Sequence, residues 1–122
     1  MNRAAANYHA GKLDVAVRDY SKFISSQPGD AIAFHERGLA YLNGSRFSEA
    51  IDDFSEATKL NSKYASFYNN RGIAYEKVKE RDKALADFDV ALELDPWYAT
   101  ALYNRSLIYF DKAEYERVPL SI

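Results

Sequence analysis

"HERGLAY" at residues 35–41 and "NNRGIAY" at residues 69–75 say nearly the same thing twice. Each places Arg-Gly before an aliphatic residue and then Ala-Tyr, and Gly38 and Gly72 lie 34 residues apart. Set against itself at that offset, the chain agrees at Ala31/Ala65, Arg37/Arg71, Gly38/Gly72, Ala40/Ala74, Tyr41/Tyr75, Ala50/Ala84, Asp53/Asp87, Phe54/Phe88, Ala57/Ala91, Leu60/Leu94 and Tyr64/Tyr98. The agreement falls mostly on small and apolar residues, those a packed interior needs. A regular period of this length marks a stacked repeat architecture. The pattern runs on backwards, with Gly11 to Ala16, Asp19 and Tyr20 over Ser45 to Ala50, Asp53 and Phe54. Forwards, Asn104, Arg105, Ser106 and Tyr109 lie over Asn70, Arg71, Gly72 and Tyr75.

Within a repeat the spacing is helical. Phe67, Tyr68, Arg71, Gly72, Tyr75 and Val78 recur at steps of three and four, as one helix face requires. Ala84, Leu85, Phe88, Ala91 and Leu92 do the same for a second helix. Breaker-rich stretches close the units: "SSQPGD" at 25–30, "LNSKYA" at 60–65 and "LDPWYA" at 94–99. Pro28 and Pro96 cannot sit in a helix interior, and each biases the residue before it out of the helical region. The unit is therefore helix, tight turn, helix, short loop. "NG" at 43–44 reads as one such turn. Gly38 and Gly72 each cost about 1 kcal/mol in a helix interior relative to alanine, which is sensible where two helices approach closely. Ala50 and Ala84 are expected to face them, with Tyr41, Tyr75, Phe54 and Phe88 filling the space beside.

A 34-residue helix–turn–helix unit with these residues resembles the tetratricopeptide repeat (TPR). Residues 65–98 carry Tyr68, Gly72, Tyr75, Ala84, Phe88, Ala91 and Pro96; residues 31–64 carry Phe34, Gly38, Tyr41, Ala50, Phe54 and Ala57, with Ser62 where proline is usual. Phe23 stands where Ala57 and Ala91 stand, which would splay the first helix pair. The resemblance implies an all-α, right-handed superhelical array of about three and a half antiparallel helix pairs in one domain. Its parts would be a partial repeat at 1–30, full repeats at 31–64 and 65–98, and a partial repeat at 99–122. The first is expected to begin partway through its first helix, near residue 2. The last has one helix at roughly 99–112, after which Pro119 would stop a second one.

Composition narrows the function. The 122-residue chain holds 48% hydrophobic and 28% charged residues, so it can bury a core, and its net charge of −2 lacks the basic excess of a nucleic-acid binder. With no cysteine there is no disulfide, thiol nucleophile or zinc–thiolate site. No apolar run approaches a membrane span, and "MNRAAANYHAG" lacks the apolar core of a signal peptide. A cytoplasmic location is expected. His9 and His35 have no metal motif around them, and no phosphate loop or nucleophile–base arrangement is readable. The expectation is a chain without catalytic, cofactor or metal site.

The resemblance also places a ligand. In such arrays the first helices of successive repeats line a concave groove that takes a partner's peptide. Carried over by position, the groove residues are His35, Leu39, Asn69, Asn70, Ile73, Lys77, Tyr103, Asn104 and Leu107. Ile32, Glu36, Asn43, Ser66, Thr100 and Asp111 would complete the wall. Leu39, Ile73 and Leu107 form an apolar stripe, and an asparagine amide such as that of Asn70 or Asn104 can both donate to and accept from a peptide backbone. TPR domains that bind acidic C-terminal tails of heat-shock chaperones use a clamp of lysine, asparagine and arginine. At those positions this chain offers His35, Leu39, Asn70, Thr100 and Asn104, so such tails are not expected as partners.

Two further expectations concern the ends and the charges. The last helix carries Leu102, Tyr103, Leu107, Ile108, Tyr109 and Phe110, apolar on more than one side. Either a longer protein supplies the repeat that covers this face, or another copy of the chain does, which makes self-association the alternative function. Asp19, Asp53 and Asp87 precede Arg37, Arg71 and Arg105 by 18 residues each. They are expected to pair across repeat junctions, because a half-buried guanidinium needs a carboxylate or carbonyl.

Overall fold

The computed structural model describes residues 3–117, which form six helices and no strand. They are α1 (Arg3–Ser26), α2 (Ala31–Asn43), α3 (Phe47–Leu60), α4 (Ala65–Lys77), α5 (Arg81–Leu94) and α6 (Ala99–Arg117). Helices α2/α3 and α4/α5 are the two antiparallel pairs that the sequence repeats imply, each helix packing on the next in chain order.

Local chemistry sets the boundaries. Asp30 caps α2, its Oδ1 accepting from the Ala33 N–H at 3.1 Å. Both pairs turn in the same way: Ser45 and Lys79 take left-handed backbone, φ 62° and 70°. The next amides, of Arg46 and Glu80, donate to the carbonyls of Tyr41 and Tyr75 at 2.8 and 2.9 Å, which satisfies helix-end acceptors. Gly44 itself has φ −90°. The turn expected at 43–44 is there, but its left-handed residue is Ser45.

The glycines allow close approach, as expected, though an aromatic ring rather than an alanine faces each one. A Cβ on Gly38 would stand 2.7 Å from Cε1 of Phe54, and one on Gly72 would stand 2.7 Å from Cε1 of Phe88. Phe54 and Phe88 are buried to 0% and 1% exposure. One core joins Ala84, Leu85, Phe88, Ala91, Leu92, Ala101 and Ile108 across α5 and α6; a second joins Ala50, Phe54 and Ala74.

The ends depart from the expected partial repeats. Helix α1 is a single unbroken element through Gly11, where a turn homologous to Ser45 would fall. Helix α6 runs to Arg117 instead of ending near residue 112. Ala113 occupies the position of Ser45 and Lys79 but remains within the helix. Pro119, expected to stop a second helix there, lies outside the described residues.

The arginine ladder also pairs differently. Arg37 donates through Nε and Nη2 to Asp53 at 2.7 and 2.8 Å, and Arg71 through the same atoms to Asp87 at 2.8 and 2.8 Å. These forks close within one helix pair. The junction partners are hydroxyls: Arg37 Nη1 reaches Ser21 Oγ at 3.0 Å, and Arg71 Nη1 reaches Ser55 Oγ at 3.2 Å. The expected pairs Asp19–Arg37, Asp53–Arg71 and Asp87–Arg105 do not form. The hairpin brings the aspartate of a second helix against the arginine of its own first helix, and each fork is then filled. Hydrogen bonds to these carboxylates raise the pKa of both Arg37 and Arg71.

Candidate peptide-binding groove

Helices α4 and α6 flank a cavity of about 270 Å³ lined by Ile73, Glu76, Lys77, Phe88, Asn104, Leu107, Ile108 and Asp111. Four of the nine candidate residues, Ile73, Lys77, Asn104 and Leu107, meet here. The floor is apolar, from Ile73, Phe88, Leu107 and Ile108. The rim carries one ammonium, two carboxylates and one amide, from Lys77, Glu76, Asp111 and Asn104. Such a surface can bury an apolar side chain while hydrogen-bonding the backbone on either side.

The other candidates separate. His35 and Asn69 are buried, at 9% and 2% exposure, so they sit between helices and not on an open wall. The His35 ring packs against Phe67 and Phe54, centroids 4.7 and 5.6 Å away. Burial lowers its pKa from 6.5 to about 4. Its Nε2 lies 2.9 Å from Nδ2 of Asn70. The neutral ring accepts there, which ties up the amide expected to read a ligand and couples the two helix pairs. Leu39 is half-buried beside Ala50, Phe54 and Ala74. Tyr103 is 66% exposed and does not line the cavity. Among the described residues no cluster of three His, Asp or Glu is placed to hold a metal ion, and no helix is long and apolar enough to cross a membrane.

Sequence reasoning missed Glu76, Phe88 and Ile108. Phe88 belongs to the core at 1% exposure, and its ring also lines the cavity.

Family models match the chain twice, as a TPR repeat over residues 40–79 and as a tetratricopeptide repeat over residues 65–98. This chain is a tetratricopeptide repeat protein. Solved TPR domains share its fold. The first TPR of Spaghetti (RPAP3), bound to the HSP90 peptide SRMEEVD, is 28% identical with a TM-score of 0.82, over 89% of this chain and 86% of its own. The Arabidopsis OM64 TPR domain is 29% identical with a TM-score of 0.76, over 84% of each chain. The second TPR domain of human RPAP3, in complex with the HSP70 peptide SGPTIEEVD, is 27% identical with a TM-score of 0.78, over 88% of this chain and 89% of its own. No match is found among curated proteins. TPR arrays are protein-interaction modules and in general not enzymes.

These structures correct one expectation. Acidic chaperone tails cannot be set aside as partners, because TPR domains that match nine-tenths of this fold are bound to HSP90 and HSP70 peptides ending in EEVD. The exclusion treated five side chains at fixed positions as the sole means of holding a carboxylate. Any well-placed N–H donor can serve, and the Asn104 amide and Lys77 ammonium both border the cavity.

Proposed function

We propose that this TPR module holds an extended peptide segment of a partner protein in the cavity between α4 and α6. The observation that carries this reading is the convergence of Ile73, Phe88, Leu107 and Ile108 beneath a rim of Lys77, Asn104 and Asp111. The cavity would take one apolar side chain, and the Asn104 amide would bond the peptide backbone beside it. The peptides held by the similar domains, SRMEEVD and SGPTIEEVD, are the first probes, followed by a random peptide library displayed against the immobilised chain.

Calorimetric titration tests the reading with three chains. Wild type is expected to bind a chosen peptide. Leu107→Glu is expected to weaken binding at least tenfold, since a charge then occupies an apolar floor, and Asn104→Ala several-fold, the worth of one or two hydrogen bonds. Equal affinity for all three chains would place the peptide elsewhere.

A further inference from the structure

Among the described residues, neither α1 nor α6 has a pair-mate of the kind that α2 gives α3 and α4 gives α5. The arginine ladder shows it. Arg37 and Arg71 each give Nη1 to the residue 16 positions earlier, Ser21 or Ser55, and Nε with Nη2 to the aspartate 16 positions later. Arg105 keeps the first half of this pattern, its Nη1 reaching Asp89, 16 positions earlier, at 2.9 Å. Sixteen positions later stands Ser121, not aspartate. Among the described residues its Nε and Nη2 meet no acceptor.

Asp19 is the complementary orphan. It occupies the repeat position of Asp53 and Asp87, whose exposures are 5% and 4%, yet it is exposed and without a partner among the described residues.

The apolar faces match in the same register. Ala50, Phe54 and Ala57 on α3 are wholly buried under α2. Their counterparts on α1 are Ala16, Tyr20 and Phe23, and Phe23 is 46% exposed. An open concavity of about 250 Å³ lies here, with Tyr20, Phe23, Ile32 and Ala33 in its lining, where a first helix would sit. On α6, Tyr103, Tyr109 and Phe110 are 66%, 51% and 62% exposed. Tyr103 holds the position of His35, which packs against Phe54 and Phe67.

We infer that α6 of one copy docks in the slot beside α1 of a second copy, completing a helix pair in which Arg105 forks onto Asp19 of that copy. Tyr103 then fills the space over Tyr20 and Ala33, as His35 does over Phe54 and Phe67. Both helices continue past the turn position without a break, so they can lie antiparallel along much of their length. Ser106 stands where Gly38 and Gly72 leave a ring so close that a Cβ would meet it at 2.7 Å, so this pair sits wider than the others. Phe23, in place of Ala57 and Ala91, supplies the extra volume that a wider pair must fill. The two surfaces differ, so the contact is head-to-tail and adds copies without closing a dimer.

Light scattering over about a hundredfold range of concentration tests the inference, with circular dichroism to confirm folding. The wild-type mass is expected to rise above 13.9 kDa with concentration. Asp19→Arg and Arg105→Asp each set like charges against each other and are expected to remain monomeric where wild type assembles. Mixed in equal amounts, the two variants regain opposite charges at every junction and assemble again. A constant monomer mass for wild type overturns the inference, because the slot and α6 then have other occupants. Assembly unchanged in either variant, or folded variants that stay monomeric when mixed, overturns it as well.

Discussion

Lowering the pH from 7.5 to 5 is expected to cost the fold about 2 kcal/mol through His35 alone. The ring is 9% exposed between Phe54 and Phe67, and burial holds its pKa at about 4 against 6.5 in an open chain. Above pH 6.5 the imidazole is neutral both folded and unfolded, so it adds no pH dependence. Between pH 6.5 and 4 the unfolded chain takes up a proton that the folded chain does not, and stability falls. Below pH 4 both states are protonated and the loss levels off near about 3 kcal/mol. Urea unfolding at pH 7.5, 6 and 5 would read this as a midpoint about 1 M lower at pH 5. His35→Phe keeps an aromatic ring and has nothing to protonate, so its midpoint should move much less over this range. Parallel losses in the two chains would refute the burial-driven shift.

Other perturbations separate the interactions described above. Gly72→Ala gains about 1 kcal/mol of helix propensity but places a Cβ 2.7 Å from the buried Phe88 ring, so thermal unfolding should show a net loss of roughly 1–2 kcal/mol. Gly11→Ala meets no atom within 4 Å and should stabilise α1 by up to about 1 kcal/mol. A loss there would mean that the chain bends at residue 11. Asp87→Ala strands the mostly buried Arg71 guanidinium and should cost about 3 kcal/mol in denaturant unfolding. Asp89→Ala removes a half-exposed partner of Arg105 and should cost under about 1 kcal/mol.

Much of the fold was legible because the repeat period reports it directly. Gly38, Tyr41, Ala50 and Phe54 recur one period later, and small or aromatic residues at those spacings can pack in few ways. The arginine pairing was not legible from spacing alone: 16 and 18 residues both link successive helices, and only the hairpin geometry selects Asp53 for Arg37. The ends misled for a related reason. Gly11 and Ala113 stand at the turn position of Ser45 and Lys79 yet stay helical, so whether the chain bends there depends on packing that a repeat pattern does not encode. In the groove, Ile73, Lys77, Asn104 and Leu107 followed from helix position. His35 and Asn69 share that register but point between helices, where Phe54 and Phe67 enclose His35. Phe88 and Ile108, which also line the cavity, read in the sequence only as apolar packing positions.

The central claim is that the cavity between α4 and α6 takes a peptide. Amide chemical-shift mapping of the labelled chain, titrated with a bound peptide, tests it most directly. The account predicts that the largest shifts cluster at Ile73, Lys77, Asn104, Leu107 and Asp111, and vanish in Leu107→Glu. Shifts concentrated on α1 and α3, with α4 and α6 unmoved, would contradict it.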